Sequence, residues 1–374
     1  MSTQKVAIFG PQYTYGGGGH VCADIGKALG RRGYDVDFLI DGRTMEGGYL
    51  RKGFPDSCSL VQISGARIHD SQLNLPYYAS LLKGLWEYLI RNRNVTLLSN
   101  FVKKNLISTW VSLITPGSHT VILCEHTMIG VRMTGNRRVL PPLIRAFYPL
   151  ADRAVAVSGD ITGELIADFG LSRDMCTTVD NPIDVENIQR LSEHSVSHMW
   201  FEDDPPVILG VGRFGEAKDF VLLVRALEVL RQKVPARLVL LGDGDRRGAI
   251  EQQVEASGLE EHVDLLGFVD NPYKYMRQAD MLAHPADYEG FGLVLPEAMA
   301  CGTPVVAADC PGGPSDILKN GEYGALVEVG NDKALADAIY NTLKDPPPAE
   351  KLKSRAQDFD IEKVVQQYID VIES

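Results

Sequence analysis

Two glutamates, Glu289 and Glu297, bracket the run GFGLVLP, so a pair of carboxylates stands at the two ends of an apolar, glycine-bearing stretch. Ionised carboxylates only accept hydrogen bonds, which suits them to the hydroxyls of a sugar held over a glycine loop where a helix begins. An acidic cap on a buried helix is the simpler alternative, and the pair by itself leaves both open. GRFGEAKDF (212–220) sets Arg213 and Lys218 around a turn, where a guanidinium and an ammonium either clamp a diphosphate or face solvent. YGGGGH (15–20) has four consecutive glycines, Gly16 and Gly17 among them, which bring backbone N–H groups toward an anion or simply make a tight turn. Its spacing is not the G-x-G-x-x-G of a dinucleotide site. His126, in EHT, closes an apolar run, where a histidine either faces a cleft or is a satisfied core residue. GDGD (242–245) ends another such run and reads as a turn rather than a metal motif.

These side chains need strands and helices to carry them. KVAIFG (5–10), a helical apolar spacing over 20–30 and YDVDFLI (34–40) make a strand, loop, helix, strand unit. The alternation recurs at TVILCEH (120–126) and RAVAVS (153–158). It returns at PVILGVGRF (206–214), RLVLLGDG (237–244), HVDLLGFV (262–269), MLAHP (281–285) and TPVVAAD (303–309). Near-continuous apolar strands of this kind belong to parallel sheets covered on both faces, so the expected fold class is α/β with two Rossmann-like, doubly wound domains. The expected boundaries are an N-terminal domain over 1–185, a C-terminal domain over 186–355 and a closing helix over 356–374 that packs back on the first. Open parallel sheets bind ligands outside the carboxyl ends of their strands, which is where the motifs fall.

At 374 residues the chain suits two cores. No run reaches the length of a transmembrane helix, and MSTQKVAIFG leads into a strand without a signal-peptide pattern, so the expected location is the cytoplasm. The six cysteines show no C-x-x-C spacing and are expected as reduced thiols; His194 and His198 have no further ligand. Residues 1–180 carry 19 Lys and Arg against 15 Asp and Glu, whereas the remainder carries 18 against 34. That asymmetry makes the N-terminal half the side to meet an anionic surface, and the acidic half argues against nucleic acid as a partner.

GRFGEAKDF, LLGDGD, LGFV, HPADYEGFGLVLPEAMACGTPVVAAD and GALVEVGN occur in the order and spacing of glycosyltransferase family 4, which the chain resembles over nearly its full length. The resemblance implies the GT-B architecture, two Rossmann-like domains facing across a cleft, and a retaining transferase like those of bacterial surface-polysaccharide synthesis. It implies that Glu289 accepts from the transferred sugar's hydroxyls and Glu297 holds the ribose of the donor. Gly290, Phe291, Gly292 and Leu293 then bring backbone N–H groups to sugar and diphosphate, Val269 of LGFV contributes to nucleotide binding, and Gly16 and Gly17 match the family's glycine pair. Gly19 and His20 depart from it where many members have an acidic residue and an arginine.

Arg213 and Lys218 would stabilise the departing diphosphate, which is electrostatic catalysis with no metal or cofactor. Retention implies attack on the face the leaving group departs from, with Glu289 orienting the sugar, His126 contacting it, and the leaving phosphate assisting deprotonation of the acceptor. The expected reaction moves a hexose or N-acetylhexosamine from a UDP-sugar, with GDP-mannose second, to a sugar acceptor. Residues 76–115 mix Leu, Ile, Trp and Tyr with Lys83, Arg91, Arg93, Lys103 and Lys104. On amphipathic helices such a mixture suits an anionic membrane surface, which points to a lipid-linked acceptor met at the inner face of the cell membrane. A sugar-nucleotide epimerase of the same architecture and a transferase with a soluble acceptor are the alternatives.

Overall fold

The computed structural model describes residues 4–10, 17–41, 55–64, 75–132, 140–202 and 205–374. The chain divides into two compact units, one of Met1–Pro182 with Ile361–Ser374 and one of Ile183–Asp360.

The first unit is built on seven parallel strands: β1 (Lys5–Phe9), β2 (Asp35–Asp41), β3 (Cys58–Ser64), β4 (Thr96–Asn100), β5 (Thr120–Glu125), β6 (Arg153–Ala156) and β7 (Cys176–Thr178). Their order is β3-β2-β1-β4-β5-β6-β7, so strand order reverses between β1 and β4. The inner strands are largely apolar because helices cover both faces, with polar exceptions such as Asp37 of β2 and Ser99 of β4 that are buried with hydrogen-bond partners. Helix Gly17–Arg31 follows β1 and buries Val21, Cys22, Ile25, Ala28 and Leu29, the helical spacing of a core-facing stripe. A Cβ on Gly26 of that helix would stand 2.3 Å from the Phe38 ring, so glycine sets how closely helix and sheet approach.

The second unit has six parallel strands: β8 (Val207–Val211), β9 (Arg237–Leu241), β10 (Val263–Gly267), β11 (Met281–His284), β12 (Val305–Ala308) and β13 (Ala325–Val327). The order β10-β9-β8-β11-β12-β13 places its reversal between β8 and β11. Helix Phe220–Leu230 packs on this sheet through Phe220, Leu223, Val224 and Leu227, and Asp219 caps it by accepting from the Leu222 N–H.

The closing helix spans Ile361–Glu373; a separate helix ends at Ala356 and a 3₁₀ turn covers Gln357–Phe359. The Ile183 N–H bonds the Phe359 carbonyl at 2.9 Å, so the two connecting strands are tied to each other within the second unit. In the first unit the closing helix buries Val364, Val365 and Tyr368, while Glu362 pairs with Arg32 and Tyr34 donates to Glu373 at 2.6 Å.

Residues 76–115 form helix Leu75–Arg91, then β4, then helix Val102–Ile114. β4 is wholly buried, so the helices and the turn before β4 offer the surface. Lys83, Arg91, Arg93 and Lys103 are exposed. Lys104 departs from expectation: its ammonium donates to the Gly10 carbonyl and lies 4.7 Å over the Phe9 ring. Burial lowers its pKa to about 8 against the pull of Asp41. Consecutive helix residues point about 100° apart, and Lys104 shares the inward face with Ser108 and Val111.

Candidate active site

Strand β8 delivers Arg213 and Lys218 at the carboxyl end of the sheet, beside the order reversal. The turn after it interlocks with GDGD: the Phe214 N–H bonds the Asp243 carbonyl at 3.0 Å. A Cβ on Gly242 would stand 1.9 Å from the Gly212 carbonyl oxygen, and one on Gly244 would stand 2.4 Å from that of Phe214. The GDGD glycines thus serve a close backbone approach. Among the described residues no three His, Cys, Asp or Glu side chains group as a metal site. Arg213 points outward, its side chain 80% exposed and 3.6 Å from Asp245.

Lys218 takes the other direction and pairs with Glu289. Both Lys218 Nζ and His284 Nε2, the latter at 2.7 Å, meet the same oxygen, Glu289 Oε1. Burial works against charge on Glu289, yet the Lys218 ammonium and the His284 hydrogen bond hold its carboxyl far below the usual carboxylate range. Burial, helped by the neighbouring Lys218, lowers the pKa of His284 and favours the neutral ring. The carboxylate is acceptor-only, so Nε2 carries the proton.

The backbone under Glu289 is held as firmly as its side chain. Its N–H bonds the Pro311 carbonyl at 3.0 Å. Gly312 and Gly313 lie at φ 113° and 140°, where a Cβ would come within 2.0 Å of the Glu289 carbonyl oxygen and 2.5 Å of that of Phe291. CPGGPS therefore packs directly on EGFG, and only glycine meets both the close approach and the positive φ. Gly292 turns the chain at φ 96° into helix Val294–Ala300, whose seven residues begin two before Pro296. Glu297, in its first turn, accepts from the Tyr273 hydroxyl at 3.3 Å. Burial raises the Glu297 pKa to about 7, with Tyr273 and Lys218 opposing.

The structure thus brings Lys218, Glu289 and Glu297 together. Arg213 pairs with Asp245, and Val269 sits in the loop after β10. His284 and Tyr273 are additions that sequence reasoning missed. His284 had one visible signal, a histidine closing an otherwise apolar strand; Tyr273 had none.

In the first unit the cluster forms at the carboxyl ends of β4 and β5. His126 is 4% exposed. Its Nε2 meets Asn100 Oδ1 at 2.8 Å, its ring stacks on Phe101 at 4.9 Å, and Cys22 Sγ lies 4.0 Å away. Asn100 donates its amide to the Leu98 carbonyl at 3.1 Å, which leaves Oδ1 to accept from the imidazole. Phe101 sits at φ 70°, a strained conformation for a bulky residue. Its ring occupies the space a Cβ on Gly18 would need, 2.7 Å away. Gly17 opens the first helix, and Gly16 lies outside the described residues.

Two family models match. Glycosyltransferase Family 4 matches residues 15–187, and Glycosyl transferases group 1 matches 198–359. The chain is 34% identical over 226 residues to the N-acetylgalactosamine-N,N'-diacetylbacillosaminyl-diphospho-undecaprenol 4-alpha-N-acetylgalactosaminyltransferase of Campylobacter jejuni, covering 59% of this chain and 60% of that one. With the N-acetyl-alpha-D-glucosaminyl L-malate synthase of Bacillus anthracis it shares 26% identity over 366 residues, covering 94% and 92%. The structure of Anabaena Alr3699/HepE in complex with UDP is similar at a TM-score of 0.77 and 22% identity, over 99% of this chain and 100% of the other.

Proposed function

The chain belongs to glycosyltransferase family 4 and has its GT-B fold, and from that membership we propose that it is a retaining transferase moving a hexose or N-acetylhexosamine from a UDP-sugar to a lipid-linked sugar. The observation that carries this reading is the grouping of Lys218, Glu289 and Glu297 at the order reversal of the second sheet. Acceptor-only carboxylates there suit the hydroxyls of sugar and ribose, and the ammonium suits the diphosphate between them. When a diphosphate arrives, Lys218 gains an anion to neutralise as the glycosidic bond breaks, and Arg213, exposed nearby on the same loop, adds a second cation. Freed of that ion pair, Glu289 orients the sugar for attack on the leaving-group face, and the departing phosphate accepts the acceptor's proton. No step needs a metal ion.

UDP is the preferred nucleotide because the Anabaena neighbour was solved with it. The Campylobacter relative's name carries a diphospho-undecaprenol-linked sugar, which supports a lipid-linked acceptor. Helices Leu75–Arg91 and Val102–Ile114 expose Trp86, Trp110, Leu113 and Ile114, and Lys83, Arg91, Lys103 and Arg93 of the turn before β4 are exposed too, a composition suited to anionic lipid. Among the described residues no helix is long and apolar enough to cross a membrane, so attachment would be peripheral. The near full-length similarity to the L-malate synthase favours a second reading, a small soluble acceptor.

A panel of UDP-, GDP- and ADP-sugars, screened by thermal shift and then by product analysis with polyprenyl-diphosphate sugars and L-malate, tests both. The expected result is transfer from a UDP-sugar to the lipid-linked acceptor, with retained anomeric configuration and full rate in excess EDTA. A strict divalent-ion requirement, or an isomerised sugar nucleotide formed from donor alone, would overturn the proposal.

A further inference from the structure

We propose that His284 is a positioning residue for the reaction: it anchors Glu289 through Oε1 and so presents the other carboxylate oxygen to the donor sugar. The inference rests on the reading of Glu289 as the sugar-orienting carboxylate.

His284 closes β11 and is 1% exposed, so strand and core fix its ring. Lys218, the other donor to Oε1, belongs to a short 3₁₀ turn and ends a flexible stem. The two donors therefore respond differently to a nucleoside diphosphate. An ammonium is drawn to a phosphate, whereas a buried neutral imidazole has no reason to leave its carboxylate. Once Lys218 turns toward the diphosphate, His284 is the group that still holds Glu289.

What it holds is the side chain alone. The Glu289 backbone is already fixed by the Pro311 carbonyl and by Gly312, so the remaining freedom lies in three side-chain torsions. A free glutamate spreads over several rotamers and would have to be ordered at each turnover. A donor seated on Oε1 selects one rotamer in advance and leaves Oε2 to accept from a sugar hydroxyl. Groups that orient a ligand's partner in this way commonly change activity by about ten- to a hundredfold when removed.

His284→Leu removes the donor and roughly keeps the volume. His284→Gln keeps an amide N–H near the place of Nε2, while the shorter His284→Asn cannot reach Oε1. The readouts are kcat and KM with the UDP-sugar that wild type turns over fastest, and Kd for UDP by calorimetry, with Glu289→Gln measured alongside. The expected result is a fall in kcat of about ten- to a hundredfold for Leu and Asn, a UDP Kd within about threefold of wild type, and substantial recovery for Gln. If the Leu variant does not fold, the contrast between Gln and Asn decides, since both place a polar amide in the same site. A kcat near wild type in Leu or Asn while Glu289→Gln is inactive would overturn the anchor and leave the function of Glu289 standing. Equal loss of UDP binding and turnover in Leu, Asn and Gln would assign His284 to folding of the loop and overturn the inference. Full activity of Glu289→Gln would instead remove the reading on which it rests.

Discussion

Glu297 should make stability and nucleotide affinity respond to pH in opposite directions. Burial lifts its pKa from the usual 4.5 to about 7. Between those values the folded protein keeps a proton that the unfolded chain has lost, so stability falls as pH rises through the window and the full cost stands above pH 7. At about 1.36 kcal/mol per pH unit this amounts to at most about 3 kcal/mol, less whatever solvent reaches the partly buried side chain. Glu297→Gln removes the charge and should raise the melting temperature of the ligand-free protein at pH 8, at about 2–4 °C per kcal/mol for a unit of this size. UDP reverses the preference, because an ionised carboxylate offers both oxygens as strong acceptors to the two ribose hydroxyls, whereas a neutral acid keeps only its weaker carbonyl oxygen for them. Protonation with a pKa of about 7 leaves roughly a tenth of the carboxylate ionised at pH 6, so wild type should bind UDP more weakly there than at pH 8, by up to about tenfold. The nucleotide's own phosphate ionises in the same range, and Glu297→Gln carries that contribution alone. Calorimetric titrations of both proteins from pH 5.5 to 8.5 isolate the difference: wild type should lead the variant at pH 8 and converge with it at the acid end. Parallel affinities at every pH, together with no gain in melting temperature for the variant at pH 8, would refute the reasoning.

Lys218→Ala should lower kcat by about a hundredfold or more, since it removes charge from the developing diphosphate; steady-state turnover near the wild-type rate would dismiss the clamp. Gly312→Ala should impair both donor turnover and thermal stability, because its Cβ would stand 2.0 Å from the Glu289 carbonyl at a φ of 113°; an unchanged melting curve and kcat would count against that close packing. Changing Lys83, Arg91, Arg93 and Lys103 together to glutamine should reduce salt-sensitive sedimentation with anionic vesicles while UDP binding is kept. Lys104→Gln, by contrast, should lower the melting temperature with little effect on vesicle binding, as its ammonium is spent on the Gly10 carbonyl; the opposite pattern would return Lys104 to the surface.

Strand alternation was legible in the chain because parallel strands covered on both faces are near-continuous apolar runs, as VAIF of β1 and LVLL of β9 are. Glu289, Glu297 and Lys218 were legible as candidates too, since Lys218 and Glu289 follow strands closely, Glu297 lies in the first turn of the helix after them, and glycines mark both connections. The partners of those residues were not. Lys218 and Glu289 are 71 residues apart and meet because β8 and β11 are neighbours in the sheet. His284 looks like any polar residue in an apolar strand until the loop after it folds back onto its ring. Gly312 and Gly313 read as a turn, and only the approach of a second loop shows that their missing side chains make room for Glu289 and Phe291. Lys103 and Lys104 are the same residue type side by side, yet helical phase turns one to solvent and the other to the end of β1. Composition and spacing determine which elements form, because burial acts on each segment's own pattern. Which side chains share a proton, an oxygen or a few cubic ångströms is decided by strands and loops distant in sequence, through contacts that exist only after the sheets are assembled.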